Sequence, residues 1–365
     1  MAGNSFGKFL VLTTFGESHG PAVGGVLDGF PSNITIDIDF IQSELDRRKP
    51  GKDFFTSSRE EEDHIEILSG VYNGISTGAP IAFVVYSKDS KPGDYDHLKE
   101  IYRPSHADFT YEKKYGIRDP RGGGRSSART TLAVVAGGAF AKLLLTRYGI
   151  EVIGYVSQIA GCRIPEDLVV SSSALVRSSP LACPDEHITQ EMIRLLKEAK
   201  ASGDTVGGIV SCIIRGVPAG LGDPVFDKLQ ADLAKAMLTI PAVKGFEYGS
   251  GFRAASMRGS EHNDYFVMRD GRIRTETNFS GGIQGGISNG EEIYFRVAFK
   301  PVSTLMHDQE TVDIHGNPVT MKGKGRHDVC VVPRAVPIVE AMTALVIADK
   351  LISTPKTSNV STRFL

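Results

Sequence analysis

Apolar residues along this chain follow two periods. Short blocks, alternating or wholly apolar, predict strands over 8–14, 22–27, 79–86, 150–159, 206–214 and 291–299. The last alternates strictly through Ile293, Phe295, Val297 and Phe299. Longer stretches predict helices. One is capped by Asp37 or Asp39, carries Phe40, Ile41 and Leu45 on one face, and is stopped by Pro50-Gly51. The clearest begins at Ser126 or Ser127 and runs to about Tyr148, with Gly149 just past its end. Others cover 187–200, 223–237 and 333–352. Gly137-Gly138 inside the second helix costs roughly 1 kcal/mol per glycine in intrinsic propensity. Close packing against another helix or a sheet is the better reason for that pair.

Two segments echo each other. AVGGVLDGFP (22–31) and TVGGIVSCIIRGVP (205–218) each join a glycine-rich strand to a Gly-x-Pro turn and then a helix. This suggests a pseudo-duplicated strand–helix unit. Nothing resembling a Ser/Gly/Pro linker divides the chain, so residues 1–365 are read as one domain with a tail from about 353. Hairpin-like strands mixed with long helices imply an α+β sandwich rather than a doubly wound parallel sheet.

Composition narrows the class. The 365 residues are 41% hydrophobic and 23% charged, enough for a large core. A net charge of −2 argues against a broad nucleic-acid footprint, so any positive site must be local. Cys162, Cys183, Cys212 and Cys330 lie far apart without a CxxC pair. That spacing favours free thiols over a disulfide framework or a metal site. The N-terminus has no signal-peptide pattern, and Arg129, Lys142, Glu340 and Asp349 break the two most apolar stretches short of a membrane span. A cytoplasmic enzyme is expected.

Three distant stretches set a histidine beside glycine, arginine and acid: GESHG (16–20), RPSHAD (103–108) and GRHDVC (325–330). A fourth, RGGGRSSAR (121–129), adds three arginines and two hydroxyls. Fixed cations, backbone N–H donors and groups titrating near neutrality suit a polyanionic small molecule. GESHG matches the G-x-S-x-G elbow of serine hydrolases, but that motif needs a strand-to-helix turn and here a strand follows. His19 is therefore the better candidate than Ser18. RGGGRSSAR lacks the G-K-[ST] of a nucleotide loop, yet Ser126-Ser127 at a helix start, beside Arg125 and Arg129, would bind an anion. LDRRKPG (45–51) and the glycine-rich NFSGGIQGGISNG (278–290) followed by FKPVSTL (299–305) are weaker signals.

Taken in order, GESHG, RRKPG, RPSHAD, GGGRSSAR, PAVKG (241–245), GFEYGSGF, GSEHND, GGIQGGIS, FKPVST and RHDVC resemble the chorismate synthase family over nearly the whole chain. The resemblance implies a β-α-β sandwich with long helices between two antiparallel sheets, assembled as a homotetramer. It implies 1,4-anti elimination of phosphate from 5-enolpyruvylshikimate 3-phosphate to give chorismate, with reduced FMN required although the reaction has no net redox change. His19 would then protonate the departing phosphate, His106 would protonate or stabilise reduced flavin, and Asp328 would help remove the ring proton. Arg48, Arg103, Arg129 and Arg326 would hold the substrate. Arg125, Ser126, Ser127, Pro241, Ala242, Gly285, Lys300, Pro301, Val302, Ser303, Thr304 and Arg326 fall where the family binds FMN.

Two positions depart from the family pattern. Phe54 stands where an arginine is usual, weakening NADPH binding there and favouring an external flavin reductase; Lys52 or Arg47 would have to supply the charge. Val302 replaces a hydroxyl residue. The competing readings are a flavin reductase or other FMN-dependent oxidoreductase, a serine hydrolase, and a non-catalytic phosphate-binding module.

Overall fold

The computed structural model describes residues 3–49, 62–87, 99–120, 122–166, 168–323 and 328–354. Pro50, Gly51, Lys52, Phe54, Arg326 and His327 lie outside them.

Two five-stranded antiparallel sheets dominate. The first contains β1 (Ser5–Phe6), β2 (Val11–Gly16), β3 (Ala22–Asp28), β4 (Ile65–Ile67) and β5 (Ile81–Tyr86), in the order β1-β2-β3-β5-β4. The second contains β6 (Glu151–Ile159), β7 (Cys162–Arg163), β8 (Gly208–Arg215), β9 (Val243–Tyr248) and β10 (Ile293–Phe299), in the order β9-β10-β8-β6-β7. The two echoing segments supply the middle strand of each sheet, β3 and β8. Each is followed by a glycine at φ 78°, Gly29 or Gly216, where an added Cβ would strike a neighbouring carbonyl oxygen. Along β10 the predicted alternation holds: Ile293, Phe295, Val297 and Phe299 are buried.

The principal helices are α1 (Ile38–Arg48), α2 (Asp108–Tyr115), α3 (Thr131–Arg147), α4 (Glu186–Ala201), α5 (Leu229–Leu238) and α6 (Val332–Ser353). Asp37 caps α1 by accepting from Phe40 N, one of the two predicted caps. Helices α3 and α6 pack together between the sheets, α3 against β2 and β3, α6 against β6 and β8. The glycine pair makes this possible. A Cβ on Gly137 would lie 2.8 Å from Leu12, and one on Gly138 would strike the backbone of Ala341 on α6.

Two helix starts and one membrane expectation differ from the sequence reading. Helix α3 starts at Thr131, because Ser127 is extended and short 3-10 turns occupy Gly124–Ser126 and Ala128–Thr130. The helix expected from 223 starts only at Leu229, whose N–H donates to Gly286 O. Ala128–Arg147 is long and apolar enough by composition to cross a membrane, contrary to expectation; most of it is packed inside the molecule.

Charges are buried where these helices meet. Lys142 of α3 pairs with Glu44 of α1 and sits 2.5 Å from Glu340 Oε2 on α6. Arg47 of α1 donates to both carboxylates, at 2.6 Å to Glu340 and 3.0 Å to Glu44. Gly154 N of β6 donates to Glu340 Oε1 at 3.0 Å, and Arg177 donates to Glu44 at 2.8 Å. Burial opposes ionisation of both glutamates, but Lys142 and then Arg47 outweigh it and hold both carboxyls below the usual range.

Glu340→Gln leaves these cations short of a buried partner, so unfolding in urea should show a loss of about 3–5 kcal/mol. The acid dependence has a definite sign. Folded pKa values lie below the ordinary 4.5, so this stability is complete above that pH and lost as pH falls toward the folded values. Gly138→Ala should cost about 1–3 kcal/mol in the same measurement. Gly137→Ala should cost less, because it meets only the movable end of Leu12.

Candidate active site

GESHG forms the turn between β2 and β3, antiparallel neighbours paired through Gly16 and Val23. No helix follows, so the hydrolase elbow is absent. Gly16 (φ 88°) is forced by the approach of Ala22 and Val23, and His19 itself takes φ 63°. Ser18 is buried, its Oγ 2.9 Å from His19 Nδ1 and its N–H donating to Gly124 O at 3.2 Å. A Cβ on Gly122 would lie 2.9 Å from His19 Nδ1, so glycine there lets the imidazole rest on the backbone.

The same loop reaches back through Arg125. Its guanidinium donates to Gly16 O at 2.9 Å, Thr14 Oγ1 at 2.7 Å and Asn4 Oδ1 at 3.1 Å. Arg125 therefore straps the loop to the end of β2. Ser126 Oγ donates to Gly123 O and Ser127 Oγ accepts from Arg129 N. The expected helix start at Ser126-Ser127 is replaced by tight turns, so the helix-terminus argument for an anion there does not hold.

RPSHAD is organised by an ion pair. Arg103 grips Asp108 through Nε (2.8 Å) and Nη2 (2.6 Å), and its N–H donates to the same carboxylate at 3.0 Å. Arg103 Nη2 also reaches Gly122 O at 3.3 Å. Gly122 thus touches both His19 and Arg103, joining the first two histidine segments. His106 Nδ1 lies 2.9 Å from Pro104 O. A carbonyl only accepts, so Nδ1 carries the proton and Nε2 is left as the other functional nitrogen. Burial, then the charge of Arg103, lowers the His106 pKa, with a smaller push from Lys300.

Lys300 extends the convergence. Its Nζ donates to Ser105 O at 3.1 Å and Ser303 Oγ at 2.7 Å, while its N–H donates to Ala242 O at 2.9 Å. PAVKG, FKPVST and RPSHAD therefore meet. Val302 contributes its carbonyl, which accepts from Thr205 Oγ1 at 2.7 Å. Pro241 precedes Ala242, Pro301 follows Lys300, and the Thr304 side chain lies beside Gly323. Burial, then Lys244, lowers the Lys300 pKa.

A third group surrounds Asp63, a buried carboxylate that sequence reading missed. Arg129 Nη1 lies 2.5 Å from Asp63 Oδ1 and Arg48 Nη1 lies 3.3 Å from Oδ2. Arg48 Nε also approaches Thr131 Oγ1, at 3.4 Å. Asp328 Oδ2 pairs with Arg334 Nη1 at 2.5 Å, and Arg334 Nε donates to Arg48 O at 3.1 Å. Arg334 was likewise unforeseen, since PRAV carries no motif. Arg47, offered as a substitute for the family arginine at Phe54, is consumed by the buried ion cluster and cannot serve.

Gly285 turns a hairpin with Gly286, which packs against Gly222 and the start of α5. Four of the nine non-glycine residues at positive φ among the described residues, His19, Asp63, Ser105 and Ala242, belong to these groups. A cavity of about 830 Å³ adjoins the glycine loop, lined among others by Glu17, Ala107, Tyr111 and Arg125. The donor set suits a phosphorylated flavin: Lys300, Ser303 and the tautomer-fixed His106 present a cation, a hydroxyl and an imidazole, with Ala242 alongside.

Comparison with known proteins identifies the family. The chorismate synthase family model matches residues 10–352. The chain is 56% identical to a chorismate synthase of Phocaeicola vulgatus, covering 95% of this chain and 97% of that one. It is 55% identical to a chorismate synthase of Parabacteroides distasonis, covering 96% and 98%. A crystal structure of chorismate synthase superposes with a TM-score of 0.76 at 31% identity, over 95% of this chain and 92% of that chain. By sequence along almost its whole length and by fold, the chain belongs to the chorismate synthase family.

Proposed function

We propose that His19, His106 and Asp328 handle the protons of the family's reaction in this chain. As a member, the chain is a carbon–oxygen lyase of the shikimate pathway, serving aromatic amino acid biosynthesis. It converts 5-enolpyruvylshikimate 3-phosphate to chorismate and phosphate by 1,4-anti elimination, and it requires reduced FMN. When bound, reduced FMN supplies electron density transiently to the breaking C–O bond.

The chain's own residues do the rest. A departing phosphate needs its developing charge neutralised, and His19 is the acid for it. Ser18 Oγ at 2.9 Å from Nδ1 holds that ring, leaving Nε2 for the leaving group. His106, with Nδ1 fixed on Pro104 O and its pKa lowered by burial and Arg103, is neutral at pH 7, and its Nε2 would accept a hydrogen bond from bound reduced flavin. Asp328 accepts the ring proton. Arg48, Arg129 and Arg326 hold the substrate's carboxylates and phosphate; Arg103 orders the His106 loop through Asp108 and faces the same space. Lys300 to Thr304, Pro241 and Ala242 hold the flavin, with Arg125, Ser126 and Ser127 shaping the loop beside it. The observation that carries this reading is Gly122, which touches His19 and accepts from Arg103 three residues before His106.

The wider setting follows from the same reading. The chain is one cytoplasmic domain, supported by a core that both sheets share. It assembles as a homotetramer; Phe266, Met268 and Ile273, exposed on one face of a two-stranded ribbon, offer apolar surface for contact between copies. Its flavin is reduced by an external reductase, because Arg47 is committed elsewhere.

Chorismate formation under anaerobic conditions with reduced FMN tests these roles. His19→Ala should lower kcat by about 10²–10⁴, whereas Ser18→Ala should cost far less; equal losses would reverse the assignment. The lowered His106 pKa predicts that activity dependent on its neutral form falls only below pH 6.5. That acid limb should be missing from the kcat profile of His106→Ala, with FMN still bound.

A further inference from the structure

We infer that Arg334 is a positioning residue for the elimination, setting the distance between the Asp328 carboxylate and the arginines that hold the substrate. The inference rests on the proton-accepting role proposed for Asp328. Arg334 touches neither substrate nor cofactor in this account; it acts through the two groups that do.

Its location is electrostatically costly for a purely structural residue. Arg334 lies in the first turn of α6, which contains no acidic residue, and a helix N-terminus disfavours a cation. The guanidinium is committed to two contacts outside its own helix. Nη1 lies 2.5 Å from Asp328 Oδ2, and Nε donates at 3.1 Å to the carbonyl of Arg48, the last residue of α1. The Arg334 and Asp328 side chains are only 20% and 12% exposed, so water screens the pair weakly.

The ends of both helices are already fixed. Arg47, next to Arg48, and Glu340, six residues after Arg334, belong to the buried ion cluster. Arg334 transmits that rigidity to the site, since one planar fork binds a carboxylate and a backbone carbonyl whose own side chain pairs with Asp63 beside Arg129. Lysine can keep the charge but holds only one partner at a time.

The test is Arg334→Met and Arg334→Lys, each assayed for kcat and KM toward 5-enolpyruvylshikimate 3-phosphate, for oxidised-FMN binding by absorbance titration, and for thermal melting. Arg334→Met should lower kcat by about ten-fold or more and raise KM several-fold, with FMN affinity unchanged, as expected for sub-ångström misplacement of reacting groups. Arg334→Lys should restore much of kcat but not KM. Combining Arg334→Met with Asp328→Asn should lower kcat no further than Asp328→Asn alone. Wild-type kcat and KM in Arg334→Met would overturn the inference. So would a loss confined to melting temperature and folded yield. If Arg334→Met fails to fold, unchanged KM in Arg334→Lys overturns it equally. Normal turnover by Asp328→Asn would overturn only the role of Asp328, and the KM rise would still register the hold on Arg48.

Discussion

The frame around the candidate site depends on a cluster of charges largely withdrawn from water. Glu44, Glu340, Lys142 and Arg47 fasten α1, α3 and α6 to one another, with Gly154 N adding the second sheet. Taking such groups out of water costs several kcal/mol per ion before their attraction returns it, so net stability is a weak reason for the arrangement. Its geometrical effect is larger. An apolar contact among three smooth helices tolerates sliding, whereas carboxylates shared between Lys142 and Arg47 fix depth and rotation together. Arg47 and Arg48 are consecutive on α1 and cannot face the same way. Arg47 joins the cluster, and Arg48, the more buried of the two, is thereby aimed at Asp63.

Around this fixed frame the loops carry strain. His19, Ser105, Ala242 and Asp63 occupy left-handed backbone conformations, each costing on the order of 1–3 kcal/mol. All four stand where the motifs converge. The sheets absorb that cost, since GESHG is held between two fully paired strands and Ala242 by Lys300 N. Arg103 and Lys300 crowd His106 with positive charge while burial excludes water, so the ring stays neutral and keeps a proton on one defined nitrogen. The result is an imidazole whose tautomer and direction are set by the protein itself.

Much of this was legible in the chain because local physics controls it. Period-two burial of β10, Asp37 as a cap and the meaning of Gly137-Gly138 all depend on a few neighbouring residues. The order of motifs revealed the family, though no single motif could. What escaped depends on long-range pairing. Asp63 sits in an acidic run that looks like solvated surface, and only the fold brings Arg48 and Arg129 to it. Arg334 looks like an ordinary helix residue until α1 ends against it. The start of α3 was misjudged because glycines at positive φ and an extended Ser127 favour tight turns over an early helix. The segment before Leu229 was misjudged because the Gly286 carbonyl, 57 residues later in the chain, receives its first N–H.

The echo between β3 and β8 extends to the segments that enter them. The turn entering β3 carries His19. In the segment entering β8, Thr205 Oγ1 donates to Val302 O, and Val206 N donates to Val329 O beside Asp328. Both middle strands therefore begin beside candidate residues. So do the two central helices, with Arg48 approaching Thr131 at the start of α3 and Arg334 in the first turn of α6. Helix N-termini carry partial positive charge that favours anions. Two helix N-termini and several arginines thus add local positive potential beside the candidate residues. That field requires no net positive protein, which is how a chain of charge −2 can hold a substrate bearing phosphate and carboxylates.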